Sequence, residues 1–469
     1  MTKIGLEIHS QLTSLESKLF CSCKANYRGY EPNTNICPIC MGLPGSLPRL
    51  NQKAVEKATT IALALNCDTP EKLAFFRKNY FYPDLPKNFQ ITQLNIYGHH
   101  SIGQDGYVMV DEKKIRIRRI QLEEDPGRLI YEGASEKTQI TLVDYNRAGT
   151  PLVEIVTEPD FENEKQVRLF LNILSDLLEN LGVSDPGLEG AMRADANVSI
   201  EGGNKVEIKN IGSFHDLEKA VHFEITRQES LASRNIPIVQ ETRQWDDRRK
   251  ITVSARTKEG ELDYRYFLEA DIPWINVDSQ TIEKLKQDMP ESIISKKERY
   301  ISKYNIPSQV AEVLSSDKFY SDLFEKAHTE TNAKDIANII TTDLMGLVDT
   351  KEKRDQSKLT PEHLTELTDS IKNNKITRNS AKLALQEIVK SGKPLSEIIS
   401  KLDLGNVSDT TELSKIIDNV ISTETQAVEQ AKTNPQTINY LVGKVMQQTK
   451  GKADPTITLE LIKKKIQVE

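Results

Sequence analysis

Cys21-Ser-Cys23 and Cys37-Pro-Ile-Cys40 place two pairs of thiols thirteen residues apart. Two such knuckles can converge on one tetrahedral ion, and a soft four-thiolate cage selects zinc and closes its coordination. The expected centre is therefore structural, with no position open to substrate. A redox pair or disulfides would use the same residues. However, five cysteines in 469 residues, four of them between residues 21 and 40, are too few and too clustered to staple the chain. Cys67 stands apart, at the end of an expected helix from Asn51 to Asn66 whose Val55, Ala58, Ala62 and Leu65 form an apolar face. It reads as a buried packing cysteine.

Carboxylates form a second set. In the stretch from Lys3 to Leu12, Ile4, Leu6 and Ile8 alternate, which puts Glu7 and His9 together on the opposite face of a strand. Pro151 to Pro159 is apolar on both faces apart from Glu154, the pattern of a central buried strand interrupted by one charge. Burying that charge is costly unless a cation or ion pair offsets it. A further strand, Lys114 to Leu122, ends in Glu123-Glu124-Asp125 and a Pro126-Gly127 turn. Oxygen ligands with one imidazole suit Mg²⁺ or Mn²⁺, the ions of phosphoryl transfer. The competing reading of the triplet is a solvated acidic turn neutralised by Arg116, Arg118 and Arg119.

Cations and aromatics come next. Arg77-Lys-Asn-Tyr-Phe-Tyr-Pro-Asp84, followed by Lys87, suits a phosphate and base site, with Lys78, Tyr80, Tyr82 and Lys87 as candidates. A hairpin from Arg193 to Asn210 would align Arg193, Asp195 and Asn197 on one polar face. No phosphate-binding loop, dinucleotide fingerprint or kinase catalytic loop occurs in the sequence, so ATP chemistry here requires another kind of site.

These residues need a scaffold. Strand patterns and all five cysteines lie before about residue 285, and helical spacing follows. In the helical part, Thr360 caps a helix begun by Pro361, with Leu364, Leu367 and Ile371 behind it. Leu413, Ile416, Ile417 and Val420 mark another helix after a break near residues 402–409. The expected fold class is α+β: a mixed α/β catalytic domain over 1–285 with a zinc knuckle at 21–40, an all-α domain over 286–404, and a small helical tail over 405–469. The tail from Asn439 holds six lysines, including Lys444, Lys450 and Lys452, against three acidic residues, whereas the whole chain has 62 Lys and Arg against 69 Asp and Glu, a net charge of −7. That contrast points to local phosphate contacts rather than general nucleic-acid coating. No apolar run reaches membrane-spanning length and no leader pattern opens the chain, so a cytoplasmic protein with no membrane association is expected.

Several strings together resemble the GatB family, the B subunits of tRNA-dependent amidotransferases. They are Gly5-Leu-Glu-Ile-His9, Arg77 to Asp84, Leu122-Glu-Glu-Asp125, Asp144-Tyr-Asn-Arg-Ala-Gly-Thr-Pro-Leu-Val-Glu154 onward to Asp160, Arg193-Ala-Asp-Ala-Asn197, Lys209 to Phe214, Gln240 to Arg243 and Asp263 to Phe267. Tyr440 to Met446 and Lys450 to Pro455 extend the similarity into a YqeY-like tail. The resemblance implies a cradle-like catalytic domain in which ATP phosphorylates the side-chain carboxylate of Asp or Glu misacylated on tRNA(Asn) or tRNA(Gln), and ammonia then displaces the phosphate. It implies a heterotrimer completed by an amidase, the A subunit and source of ammonia, and by a small C subunit. Matched residue by residue, it makes Glu7, His9, one of Glu123 and Glu124, and Glu154 the metal-dependent kinase site. Glu124 is favoured because it shares strand parity with Ile120 and Leu122. Lys78, Lys87 and Arg147 would offset charge developing on phosphate, and Lys444, Lys450 and Lys452 would contact tRNA. A departure at Phe267-Leu-Glu-Ala-Asp271, where the family carries two prolines, implies a looser loop. The competing reading is a non-catalytic zinc-bearing scaffold that presents tRNA to a partner enzyme.

Overall fold

The computed structural model describes residues 2–95, 98–131, 140–256, 264–405, 410–433, 437–449, 453 and 455–466. The chain divides into two compact units, residues 1–291 and 292–469. The division falls slightly beyond the expected residue 285.

The strands of the first unit are β1 (Lys3–Gln11), β2 (Lys72–Leu73), β3 (Phe76–Asn79), β4 (Phe89–Thr92), β5 (Gly103–Val110), β6 (Lys113–Glu124), β7 (Arg128–Tyr131), β8 (Thr141–Asp144), β9 (Pro151–Thr157), β10 (Met192–Ser199), β11 (Val206–Lys209), β12 (Glu241–Asp246), β13 (Ile251–Arg256), β14 (Phe267–Leu268) and β15 (Ile275–Asn276). Its helices are α1 (Gln52–Ala64), α2 (Glu164–Asn180), α3 (Phe214–Ser233) and α4 (Ser279–Asp288). Among the described residues, eleven strands form one sheet in the order β13-β12-β11-β10-β1-β9-β6-β4-β3-β14, with β5 also on β6. Pairing is antiparallel except for β11 with β12.

The alternation in β1 decides which face is which. Ile4, Leu6 and Ile8 are buried in one cluster with Ile120, Leu122, Val153 and Ile155 from β6 and β9, and with Val55, Ala58, Phe170, Leu174 and Leu217 from α1, α2 and α3. Helices therefore cover one face of the sheet and leave the polar side chains on the other. Asn163 caps α2 through the Gln166 N–H, and Ser213 caps α3 through the Asp216 N–H, which fixes where each helix leaves the sheet.

In the second unit, helices between Ile293 and Leu402 enclose a core that includes Tyr300, Tyr320, Phe324, Ile340, Leu364 and Ile388. Thr360 caps the Pro361–Lys372 helix, with His363 returning the hydrogen bond. Helices Thr410–Thr423, Thr425–Thr433, Ile438–Gln448 and Pro455–Ile466 surround a separate core of Leu413, Ile417, Val420, Leu441, Val445 and Ile462. The architecture is α+β, and among the described residues no helix is long and apolar enough to cross a membrane.

The link between α1 and β5 needs a residue without a side chain. A Cβ at Gly106 would lie 2.3 Å from Cys67 Sγ and 2.6 Å from the Leu65 carbonyl oxygen, so backbone would have to move. Gly106→Ala is expected to destabilise the fold by about 1–3 kcal/mol. Gly212→Ala, with open space around the site, should shift it by less than about 0.5 kcal/mol. Thermal denaturation of both variants checks the difference.

Candidate active site and metal centre

Antiparallel pairing puts directly opposed residues on the same face of a sheet. His9 lies opposite Glu154 on one side and Arg193 on the other, while Glu7 lies opposite Asp195. Gln121 is opposite Glu154, and Glu123 is opposite Leu152 and Thr92. The polar face therefore collects Glu7, His9, Glu123 and Glu154 from three adjacent strands. His9 Nε2 stands 3.7 Å from Glu123 Oε1 and 3.8 Å from Glu154 Oε1. Burial, and then the charge of Arg193, hold His9 well below its usual pKa, which leaves a neutral imidazole able to ligate a cation. Burial raises both carboxyls, and at Glu123 the charge of Glu154 adds to the effect. Two acids that resist ionising together, flanking a neutral imidazole, are groups that a divalent cation would bring into their ligand form.

The register sets Glu124, the residue favoured in the sequence, on the other face. Glu124 does share parity with Ile120 and Leu122, but those residues face the core. Its carboxylate accepts from Lys87 Nζ at 2.5 Å and from the Ile91 backbone N–H at 2.9 Å, on the face away from His9. Thr92 Oγ1 donates to Glu123 Oε2 at 3.1 Å and orients it on the polar face. Lys87 sits with Glu124: the two line a separate cavity of about 180 Å³. Arg147 differs from expectation as well, because its guanidinium donates to the Pro126 and Gly127 carbonyls and clamps that turn. Nor is the triplet a solvated turn: Glu123, Glu124 and Asp125 are all buried, and Arg116 and Arg118 pair instead with Asp160 and Glu158.

Lys78 stays with the polar face. Its ammonium lies over the rings of Tyr264 (4.8 Å) and Tyr80 (5.5 Å), and its charge acts on His9, Glu123 and Glu154. Beside it a cleft of about 890 Å³, lined by Tyr80, Tyr82, Tyr264, Arg265, Lys209 and Gln244, is within the size range of small-molecule sites. The loop without the family's prolines is tied down: Arg77 donates to both oxygens of buried Glu269 at 2.6 and 2.8 Å.

One residue of this face was not singled out as a site candidate in the sequence, and another was read there only as part of the acidic triplet. Lys209 reaches Asp195 at 3.4 Å and Glu207 at 3.5 Å. Asp125 accepts from Gln11 at 2.6 Å and Arg193 at 3.0 Å; burial alone would raise its pKa, but Arg193 and Arg147 hold it below the usual range. Both come into place through strand pairing, which periodicity within one segment does not reveal. The signal available was the polar parity of β10 and β11.

The four cysteines converge: the Sγ atoms of Cys21, Cys23, Cys37 and Cys40 all lie within 4.8 Å of one another. With Zn–S bonds of about 2.3 Å, four sulfurs around one ion fit that span, so the chemistry of the donor set and its geometry agree. Cys40 is further oriented by the Cys37 backbone N–H at 3.2 Å. Cys67 is buried elsewhere, against α1 and β5, where burial pushes its thiol up to about 12. In the tail, Lys444 pairs with Glu424 at 3.0 Å and lies over the Tyr440 ring; Lys450 and Lys452 lie outside the described residues.

Comparison with known proteins bears on the whole chain. Residues 2–283 match the family described as GatB/GatE catalytic domain, and residues 322–466 match the GatB domain. The B subunit of the aspartyl/glutamyl-tRNA(Asn/Gln) amidotransferase of Saccharolobus solfataricus is 46% identical over 469 residues, covering 99% of each chain. The protein of that name from Sulfolobus acidocaldarius is 48% identical over 470 residues, covering 99% of this chain and 100% of its own. That from Carboxydothermus hydrogenoformans is 39% identical over 477 residues, covering 99% of this chain and 98% of its own. Catalytic and C-terminal matches in one chain, with relatives aligned from end to end, leave one conclusion: the chain belongs to the GatB family and is the B subunit of a multi-subunit, ligase-type tRNA-dependent amidotransferase.

Proposed function

We propose that the polar face of the sheet is the kinase and transamidation centre. The side-chain carboxylate of Asp or Glu carried on tRNA(Asn) or tRNA(Gln) takes the γ-phosphoryl group of ATP, and ammonia attacks the activated carbonyl, gives up a proton and releases phosphate. The observation that carries this reading is the meeting of Glu123, Glu154 and His9 within 3.7–3.8 Å in the middle of the sheet. These residues, with Glu7 beside them, would hold Mg²⁺ or Mn²⁺, which supplies charge neutralisation for phosphate oxygens.

The protein's own groups then divide the work. Lys78 faces the same carboxylates and offsets charge developing on the phosphoryl group without acting as a base. Tyr80, Tyr82 and Tyr264 supply aromatic surface for a nucleoside in the adjoining cleft. Arg193 and Asp125 position each other and orient the β10 side of the site. The four-cysteine cluster holds zinc as a closed structural centre. An amidase, the A subunit of the assembly, would deliver ammonia, with a small C subunit completing a heterotrimer, and misacylated tRNA would reach the tail through phosphate contacts.

Glu154→Gln is expected to abolish tRNA-dependent ATP turnover while the assembled complex keeps its glutaminase activity; retained phosphorylation in this variant would defeat the assignment. Adding Glu7→Gln and His9→Ala should worsen the loss little, since groups acting through one cation are non-additive. Strand parity gives a second test. Glu123→Gln should lower tRNA-dependent ATP turnover by about 10²–10³-fold and raise the Mg²⁺ requirement. Glu124→Gln should leave the Mg²⁺ requirement unchanged, and reversed effects would restore Glu124 as the ligand. For the tail, deletion from residue 405 should raise the apparent KM for misacylated tRNA and flatten its salt dependence, with glutamine hydrolysis unaffected. An unaltered KM across a salt titration would return the tail to a packing role.

A further inference from the structure

Close to the four cysteines lies a buried cation that neither the polar face nor the cleft uses. Lys18 is fully buried. An ammonium removed from water is unfavourable unless an anion compensates it, yet among the described residues no carboxylate is within 4 Å of Lys18 Nζ. Its partners are the Asn35 carbonyl, to which Nζ donates at 2.9 Å, and Cys40 Sγ at 3.8 Å.

The backbone builds this placement. The Lys18 N–H donates to the Cys23 carbonyl, and the Leu19 N–H donates to the Gly149 carbonyl, each at 2.9 Å, so residue 18 is held against the cysteine loop on one side and the Ala148-Gly149 turn on the other. Gly149, whose φ of +86° favours glycine, packs against the lysine stem: a Cβ there would stand 3.5 Å from Lys18 Cδ and 3.6 Å from Cys40 Cβ. The Asn35 backbone N–H is in turn fixed by Asn146 Oδ1 at 2.7 Å, which aims the Asn35 carbonyl at the ammonium. Four thiolates around one divalent ion carry a surplus of roughly two negative charges. That surplus is the anion a buried Lys18 lacks.

We infer that Lys18 is the fixed counter-ion of the cysteine metal centre, a positioning residue whose burial and the metal's binding stabilise each other. The inference rests on the reading of Cys21, Cys23, Cys37 and Cys40 as a zinc site. Partners that hold metal ligands in place contribute to affinity as well as to orientation.

The test uses the full-length chain, its Lys18→Met and Lys18→Arg variants, and Zn²⁺ alone in competition with a chromophoric chelator. Stoichiometric zinc in the wild type, affinity weakened by about 10- to 100-fold in Lys18→Met, and a smaller loss in Lys18→Arg are expected. Removing zinc should also lower the melting temperature less in Lys18→Met than in the wild type, because the variant has no buried charge to strand. If Lys18→Met folds only with metal present, its zinc release rate, measured on protein purified with zinc, should still exceed that of the wild type. Stoichiometric zinc in the wild type with unchanged affinity in Lys18→Met would overturn the role of Lys18 alone and make it a packing residue. No stoichiometric zinc in the wild type would overturn the zinc reading and this inference together.

Discussion

Glu154 lies in β9 between β1 and β6, in a strand whose neighbours Leu152, Val153, Ile155 and Val156 are buried. A carboxylate there is unfavourable unless something compensates it, and what makes the position usable is the register. Pairing with β1 sets Glu154 opposite His9, and pairing with β6 sets it opposite Gln121. A slip of one residue would send Ile4, Leu6 and Ile8 to the cleft and Glu7 and His9 into the core. The apolar cluster under α1, α2 and α3 thus does more than stabilise the sheet. By burying one parity of β1, β6 and β9, it determines which polar groups can meet on the other.

That dependence explains what could and could not be read in the chain. Within single segments, alternation identified the faces of β1, the interrupted apolar strand around Glu154 and the polar parity of β10. Thr360 and Pro361 marked a helix start, and the cysteine spacing marked a tetrahedral group. The choice between Glu123 and Glu124 could not be made within one segment, because parity names two faces without saying which one the helices cover. The inward face of β6 proved to be the core side, and there Lys87 and the Ile91 amide satisfy Glu124. Lys209 and Lys18 escaped selection for a related reason: each is defined by a partner remote in sequence or across a turn, and a lone charged residue carries no periodic signal.

The two candidate metal groups sit in the same unit but solve different problems. Four cysteine sulfurs lie within 4.8 Å of one another, and the Cys37 backbone N–H donates to one of them, Cys40 Sγ. The carboxylate group is a set of hard oxygen donors, with one neutral imidazole and acids whose burial disfavours charge. A soft, closed set favours permanence, whereas a hard, open set leaves positions for water and phosphate oxygens.

The same chemistry bears on why such a chain works within a larger assembly. Of its five thiols, four belong to the cysteine cluster and the fifth, Cys67, is held in its protonated form by burial. The groups gathered on the polar face are carboxylates, a neutral imidazole and ammonium or guanidinium side chains, which stabilise charge and orient substrates. A polar face so equipped stabilises developing charge, and the chain that carries it is one subunit of a multi-subunit amidotransferase.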